Sequence, residues 1–230
     1  IFSIKGISKN WNAYSQDESI YLLNENSYSV EHRLDFLRQQ VKKETENPSY
    51  YCLSDFISNS KESKDVVGAF VVTAGIEVDE FAKNYENEGD DYSSIIIKAL
   101  GDRLAEAAAE YLHEKMRKDN GSEENFDNDE LIRELYPGIR PAHGYPACPD
   151  HSTKEVLWKI LNVEDKLNVS LTENYAIYPA SSISGLYFYN KEARYFSVGK
   201  INDDQFDKYS SNSNIDVKKL KSILQNNLDK

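Results

Sequence analysis

The side chains best suited to chemistry are crowded into one stretch, Arg140-Pro141-Ala142-His143-Gly144-Tyr145-Pro146-Ala147-Cys148-Pro149-Asp150-His151. Its three prolines fix φ, push the residues before them toward extended conformations and remove backbone donors, so neither a helix nor a central strand can run through it. A loop stiffened in this way holds backbone groups and a few side chains in one arrangement, which is what a ligand-binding edge needs. Metal binding is one option, because Cys148 and His151 form a Cys-x-x-His half-site near His143, yet no fourth ligand stands at a recognisable spacing. Cys148 lies between Ala147 and Pro149 with no evident partner to activate it as a nucleophile. Elsewhere, Asp55 interrupts the apolar run Tyr50 to Ile57, where a carboxylate is costly unless a cation or donor meets it; the local alternative is a cap or turn aspartate before Ser58-Asn59-Ser60. Asp102, Glu106 and Glu110 are spaced to form a row along a helix. Either that row is a solvated acidic face, eased by Arg103 and Lys115, or part of it meets a cation or polar ligand. Glu110 and His113 have the Glu-x-x-His spacing of di-iron bundles, but such sites need a second copy and the chain has none. Gly68 and Gly75 flank a strand and do not make a phosphate-cradling loop. Composition and spacing alone name no reaction.

The elements that must position these residues read as follows. Phe2 to Ile7 and Ser19 to Leu23 are strand-like, separated by a polar turn from Lys9 to Ser15, and can pair as neighbours. Leu34, Leu37 and Val41 predict a short helix within Val30 to Thr45, and Tyr50 to Ile57 reads as the end of a strand. Val66 to Gly75, continuously apolar and β-branched, predicts a central buried strand. A short acidic helix follows from Val78 to Tyr85. A long helix from Tyr92 to about Arg117, with Asp91 as its cap, carries Ile96, Leu100, Leu104, Ala108, Tyr111 and Leu112 at helical spacing. Asn120 to Asn128 reads as a solvated loop, and a short helix from Asp129 to Leu135 delivers Glu134 ahead of the proline-braced loop. Ser152-Thr153-Lys154-Glu155 resembles a capping box opening another helix. Strands are expected at Tyr175 to Ala180, Gly185 to Tyr189 and Arg194 to Lys200, and closing helices at Asp204 to Tyr209 and Val217 to Leu228. Strands and helices without strict βαβ alternation predict an α+β fold, a mainly antiparallel β-sheet flanked by helices in a single domain spanning residues 1–230.

The 230 residues suffice for a buried core, and a net charge of −12 with a pI near 4.9 argues against binding a nucleic-acid backbone. Cys52 and Cys148 give no disulfide framework, no apolar run reaches membrane-spanning length, and the start has no signal-peptide pattern, so a cytoplasmic setting is expected.

The chain resembles a known family in the order and wording of its motifs. These are Tyr51-Cys52-Leu53-Ser54-Asp55-Phe56, Gly68-Ala69-Phe70-Val71-Val72-Thr73-Ala74-Gly75, Asp91-Tyr92 leading into Lys98-Ala99-Leu100-Gly101-Asp102-Arg103-Leu104-Ala105-Glu106-Ala107, Leu131-Ile132-Arg133-Glu134, Gly138-Ile139-Arg140-Pro141-Ala142, Gly144 to His151, and Ser184-Gly185 with Tyr187-Phe188. Together they resemble the C-terminal activation domain of cobalamin-dependent methionine synthase over nearly the whole chain.

That resemblance implies a module that binds S-adenosylmethionine and supports reductive methylation, or reactivation, of cob(II)alamin held mainly by an adjacent cobalamin-binding domain. The synthase makes methionine from homocysteine; the module is one part of that methyltransferase, with a flavodoxin-type protein as electron donor. It implies that Arg140 pairs with the ligand's carboxylate and Asp55 with its ammonium group, while Glu106 and Glu134 line an acidic wall facing the sulfonium. Backbone groups of Ala142 and Gly144 match the adenine-contacting strip, Tyr145 lies beside it, and Tyr195 and Phe196 complete the adenosyl pocket. The resemblance assigns no catalytic side chain and no metal ligand. Three departures stand out: His143 replaces a proline, the acidic loop Asn120 to Asn128 replaces a longer aromatic-bearing segment, and the chain begins inside the module, without its N-terminal helical part. A stand-alone S-adenosylmethionine-binding or corrinoid-reactivating protein, or an interaction domain with no small ligand, are the other readings.

Overall fold

The structure is a computed structural model that describes residues 3–62, 65–123 and 125–228. Strands β1 (Lys5–Gln16), β2 (Ser19–Leu23), β3 (Val30–Asp35), β4 (Val66–Thr73) and β7 (Ser182–Phe188) form a five-stranded sheet in the order β3-β2-β1-β4-β7, with β2 antiparallel to both β1 and β3. The helices are α1 (Glu77–Asn87), α2 (Asp91–Asp119), α3 (Asn128–Ile132), α4 (Lys154–Leu161), α5 (Val163–Leu167), α6 (Asp203–Asn212) and α7 (Val217–Ile223). β5 (Ser170–Leu171) and β6 (Ile177–Tyr178) make a separate two-stranded sheet. The fold is thus the expected α+β arrangement of a largely antiparallel sheet with helices. The chain groups into two compact units, one of Ile1–Lys9, Ala69–Asn125 and Lys154–Gly185, the other of Asn10–Gly68, Phe126–Thr153 and Leu186–Lys230.

In the first unit α1 and α2 pack around Ala74, Val78, Ala82 and Ile97. The long helix is where sequence predicts it, but Asp90 caps it, accepting from the Ser93 N–H at 3.0 Å, one residue before the expected Asp91. Its buried face also differs from the expected stripe. Ile97, Gly101, Ala105, Ala109, His113 and Met116 are buried, whereas Ile96, Leu100 and Tyr111 are exposed. Small residues let a neighbouring element approach closely, so the face that packs is the one with least apolar volume. α4 follows as expected; in the turn ahead of it the Asp150 carboxylate accepts from the Ser152 N–H at 2.8 Å and from the Ser152 hydroxyl at 2.5 Å. Of the expected strand Tyr175 to Ala180, Ile177 and Tyr178 form β6, which pairs antiparallel with β5.

The second unit holds β2, β3, α3, α6 and α7, with a core of Leu37, Val198, Ile201, Phe206, Tyr209, Leu220 and Leu224. Four expectations are overturned here. The polar turn Lys9 to Ser15 is strand, because Trp11 and Ala13 are buried in β1 and Asn10 accepts a hydrogen bond from the Tyr189 hydroxyl at 2.8 Å; tertiary partners satisfy polar residues that disfavour strands on their own. The predicted helix Val30 to Thr45 is instead β3 followed by irregular chain. Asn24 folds the connection into an Asx turn, accepting from the Asn26 and Ser27 N–H groups, and this sets Leu34 opposite Ile20. Tyr50 to Ile57 ends in a 3-10 turn, Leu53–Phe56, not in a strand. Arg194 to Lys200 joins no strand; its backbone is satisfied by the Val198 N–H donating to the Pro146 carbonyl at 2.8 Å and by Gln39 donating to the Ser197 carbonyl at 2.7 Å. α3 ends three residues earlier than expected, and Glu134 lies beyond it with φ +51°. Phe2, in the first predicted strand, and Glu124, in the predicted acidic loop, lie outside the described residues.

Candidate functional site

The proline-braced loop belongs wholly to the second unit and is tied down at its start. Ile139 exchanges backbone hydrogen bonds of 2.9 Å with Phe188, and the Pro141 carbonyl accepts from the Leu186 N–H at 3.0 Å. Within the loop, Gly144 N–H donates to the Cys148 carbonyl at 2.7 Å and Cys148 N–H to the Tyr145 carbonyl at 2.8 Å, closing a tight turn around Tyr145-Pro146-Ala147. Gly144 has φ +92°, and the His151 ring lies so close that an added Cβ would fall 2.0 Å from it. His143, standing where the resemblance expects proline, is 3% exposed, so burial holds that position in the proline's stead.

Arg140 leaves this frame with its side chain 16% exposed. Its Nη1 donates to the Tyr136 hydroxyl at 2.6 Å, and Nη2 lies 3.6 Å from the Glu134 carboxylate. Its backbone N–H donates to the Tyr195 hydroxyl at 3.2 Å. The neighbouring Phe196 packs on Phe56 and Tyr51, with ring centroids 6.3 and 5.9 Å apart, and Phe56 meets Phe188 edge to face. Asp55 immediately precedes Phe56. One dipeptide, Tyr195-Phe196, therefore touches both the Arg140 backbone and the aromatic wall next to Asp55. The structure brings Asp55, Glu134, Arg140, Ala142, Gly144, Tyr145, Tyr195 and Phe196 into one unit, with Tyr145 66% and Tyr195 50% exposed at its surface. Glu106 is an exposed residue of α2 in the first unit.

Asp55 combines both of its readings. As a turn aspartate its Oδ2 accepts from the Cys52 N–H at 2.9 Å. It also receives a guanidinium that sequence reasoning missed: Arg38 Nη1 donates to Oδ2 at 2.7 Å and Nη2 to Oδ1 at 2.8 Å. Arg38 extends the network through Nε to Glu18 at 3.1 Å, and Lys208 reaches Glu18 at 2.8 Å. The Asp55 hydrogen bond raises the Arg38 pKa further above its ordinary value despite partial burial. Burial pushes the Glu18 carboxyl up, but its bonds from Lys208 and Arg38 outweigh this and leave it lowered. Beneath Asp55, burial pushes the Cys52 thiol up to about 11, so it is an inert packing group. Among the described residues no three His, Cys, Asp or Glu side chains are grouped to hold a metal ion, and no helix is long and apolar enough to cross a membrane.

The crystal structure of the MetH reactivation domain bound to AdoHcy matches with a TM-score of 0.94 and 40% sequence identity, covering 100% of this chain and 71% of that one. The sequence model described as vitamin B12 dependent methionine synthase, activation domain, matches residues 1–214. With its organising loop, its sheet and nearly its whole length accounted for by that model, the chain belongs to the activation-domain family of vitamin B12-dependent methionine synthase.

Proposed function

We propose that this chain binds S-adenosylmethionine, and its demethylated product S-adenosylhomocysteine, in the second unit, and presents the methyl group to a cobalamin held by the cobalamin-binding domain of the same synthase. The observation that carries this reading is the double contact of Tyr195-Phe196, whose hydroxyl meets the Arg140 backbone while its phenyl ring packs on Phe56 beside Asp55. A guanidinium and a carboxylate on either side of an aromatic dipeptide suit a zwitterionic amino acid joined to a nucleoside. AdoHcy, the molecule bound in the similar crystal structure, has that chemistry.

Each residue then has a physical role. Arg140, already oriented by Tyr136, takes the ligand carboxylate with its planar donors. A carboxylate offers roughly four acceptor positions. Asp55 uses three of them on Cys52 and Arg38, and the remaining one on Oδ1 takes the ammonium. Glu134 places negative charge near the sulfonium, and Glu106 is assigned to the same wall on its sequence match. Backbone groups of Ala142 and Gly144 face adenine, with Tyr145 at the exposed margin and Tyr195 and Phe196 against the adenosyl group. Cobalamin, held by the neighbouring domain, would supply the metal centre that accepts the methyl group, with the electron coming from a flavodoxin-type donor. The protein contributes position and field to that step, and the isolated chain is a part of the methyltransferase, not a complete enzyme.

Calorimetry of the full chain with S-adenosylhomocysteine tests the reading. Wild type binds with one site per chain, and Arg140→Ala weakens binding by at least about tenfold, the loss of a charge-assisted hydrogen bond worth about 1.5 kcal/mol. Absence of binding to the wild type rejects the ligand; an unchanged Arg140→Ala affinity removes Arg140 from the site.

A further inference from the structure

Arg38 is held by groups from four separate stretches of the chain, Glu18, Tyr50, Asp55 and Gln205. Besides the fork onto Asp55 and the contact with Glu18, its Nη1 donates to the Tyr50 carbonyl at 2.8 Å. Its backbone is gripped by one side chain of α6, the Arg38 N–H donating to Gln205 Oε1 at 2.6 Å and the Gln205 amide donating back to the Arg38 carbonyl at 3.0 Å. The two following residues continue the pattern. Gln39 donates to the Ser197 carbonyl at 2.7 Å and accepts from the Tyr51 N–H at 3.1 Å; Gln40 accepts from the Asn202 N–H at 2.8 Å. The irregular tripeptide Arg38-Gln39-Gln40 thus laces the segment bearing Asp55 to the segment bearing Tyr195 and Phe196.

We propose that Arg38 is the positioning residue of the ligand's ammonium site, its guanidinium fork fixing the plane and rotamer of the Asp55 carboxylate so that one Oδ1 lone pair is aimed at the ligand. This rests on the assignment of Asp55 made above. A cation next to an ammonium site works only if its charge is already spent. Glu18 does this: with Lys208 it completes a chain of two cations and two carboxylates, Lys208–Glu18–Arg38–Asp55, that is neutral before the ligand arrives. Asp55 in isolation would rotate about its side chain and accept the ammonium in several poses. Forked to Arg38 and bonded to Cys52 N–H it has one, so orientation is prepaid when the chain folds. Lysine at this position keeps the charge and loses the fork, which separates geometry from electrostatics.

The test is a double-mutant cycle read by calorimetry with S-adenosylhomocysteine on the full chain, using Arg38→Ala, Asp55→Asn and the double variant, with folding checked by circular dichroism. Arg38→Ala and Asp55→Asn each weaken binding tenfold or more, the double variant is within about twofold of the weaker single variant, and Arg38→Lys falls between wild type and Arg38→Ala. Should Arg38→Ala fail to fold, the same cycle is run with Arg38→Lys and Arg38→Gln. Additive losses mean that Arg38 serves the fold and not Asp55, and overturn the proposal; so does an Arg38→Ala affinity within twofold of wild type. Failure of the ammonium-site reading itself looks different, since then Asp55→Asn alone leaves affinity unchanged.

Discussion

Gly138 lies just ahead of the proline-braced loop and Gly144 within it, and the two respond differently to a methyl group. Gly138 has φ +93°, and a Cβ there would lie 2.2 Å from the Phe188 carbonyl oxygen, the same oxygen that receives the Ile139 N–H. Backbone cannot step aside without breaking that bridge. Gly144 also has a positive φ, but its obstacle is the end of the His151 side chain, which is exposed and can swing away. Backbone strain of about 1–3 kcal/mol applies at both positions, with the clash added in full only at the first. Gly138→Ala is therefore expected to lower the urea midpoint more than Gly144→Ala, and His151→Ala is expected to recover part of the loss at Gly144 and none at Gly138. Equal losses, or no recovery, contradict the geometry. Residues whose signal is local were legible in sequence: Arg140 and its neighbours announce themselves because prolines flank them. Asp55 was half legible, since its cap role is local while its ion pair is not. Arg38 was illegible. Its partners Glu18, Tyr50, Asp55 and Gln205 are scattered along the chain, and beside Leu34 and Leu37 it looked like the polar face of a helix.

At the scale of elements the same distinction recurs, most clearly on α2. The helix itself follows from composition, but the choice of face depends on what packs against it. Gly101 is buried where an added Cβ would sit 2.6 Å from Val78 and 2.7 Å from the Ser181 hydroxyl, a hydroxyl that donates to Asp102 at 2.9 Å. Replacing a mid-helix glycine by alanine ordinarily stabilises by about 0.5–1 kcal/mol. Here Val78 is fully buried on α1 and cannot retreat, so Gly101→Ala is expected to destabilise by about 1–3 kcal/mol, the range for overpacking. Leu100→Gln, one residue along on the exposed side, is expected to change stability by less than about 0.5 kcal/mol. Thermal or urea denaturation of the two variants decides, and the opposite ranking would mean that the apolar stripe and not the small-residue face is the one that packs. The strands missed at residues 30–35 and 9–15, and the strand expected but absent at 194–200, have the same origin. Whether extended chain becomes ladder is settled by the partner that packs beside it, β2 at 30–35, and Pro146 and Gln39 in place of a strand at 194–200.

For the molecule as a whole, pH is the variable that reads burial most directly. Its carboxylates, which give the net charge of −12, are already ionised at neutrality, so stability lost on the alkaline side reports groups that the fold keeps protonated. Cys52, with no exposed surface, is raised by burial from 9.0 to about 11, and Tyr209 is raised above 10 by burial first and then by the nearby Asp150 carboxylate it bonds at 2.9 Å. Both shifts have the same sign. Below pH 9 folded and unfolded chains both keep the Cys52 proton and its contribution is intact; above 9 the unfolded thiol ionises while the folded one does not, and stability falls until the folded thiol ionises near 11. A shift of that size is worth on the order of 2–3 kcal/mol, at about 1.4 kcal/mol per pH unit. Tyr209 adds its loss only above pH 10, so the interval from 9 to 10 isolates Cys52. Urea midpoints at pH 8, 9 and 10 should therefore fall more steeply for wild type than for Cys52→Ala, although the alanine variant starts lower at pH 8 because a buried side chain has been trimmed. Growth of net negative charge as lysines deprotonate acts on both proteins alike and cancels in the comparison. Parallel curves would show that the thiol ionises as easily in the folded chain as in the unfolded one, and that the turn holding Asp55 is open to water.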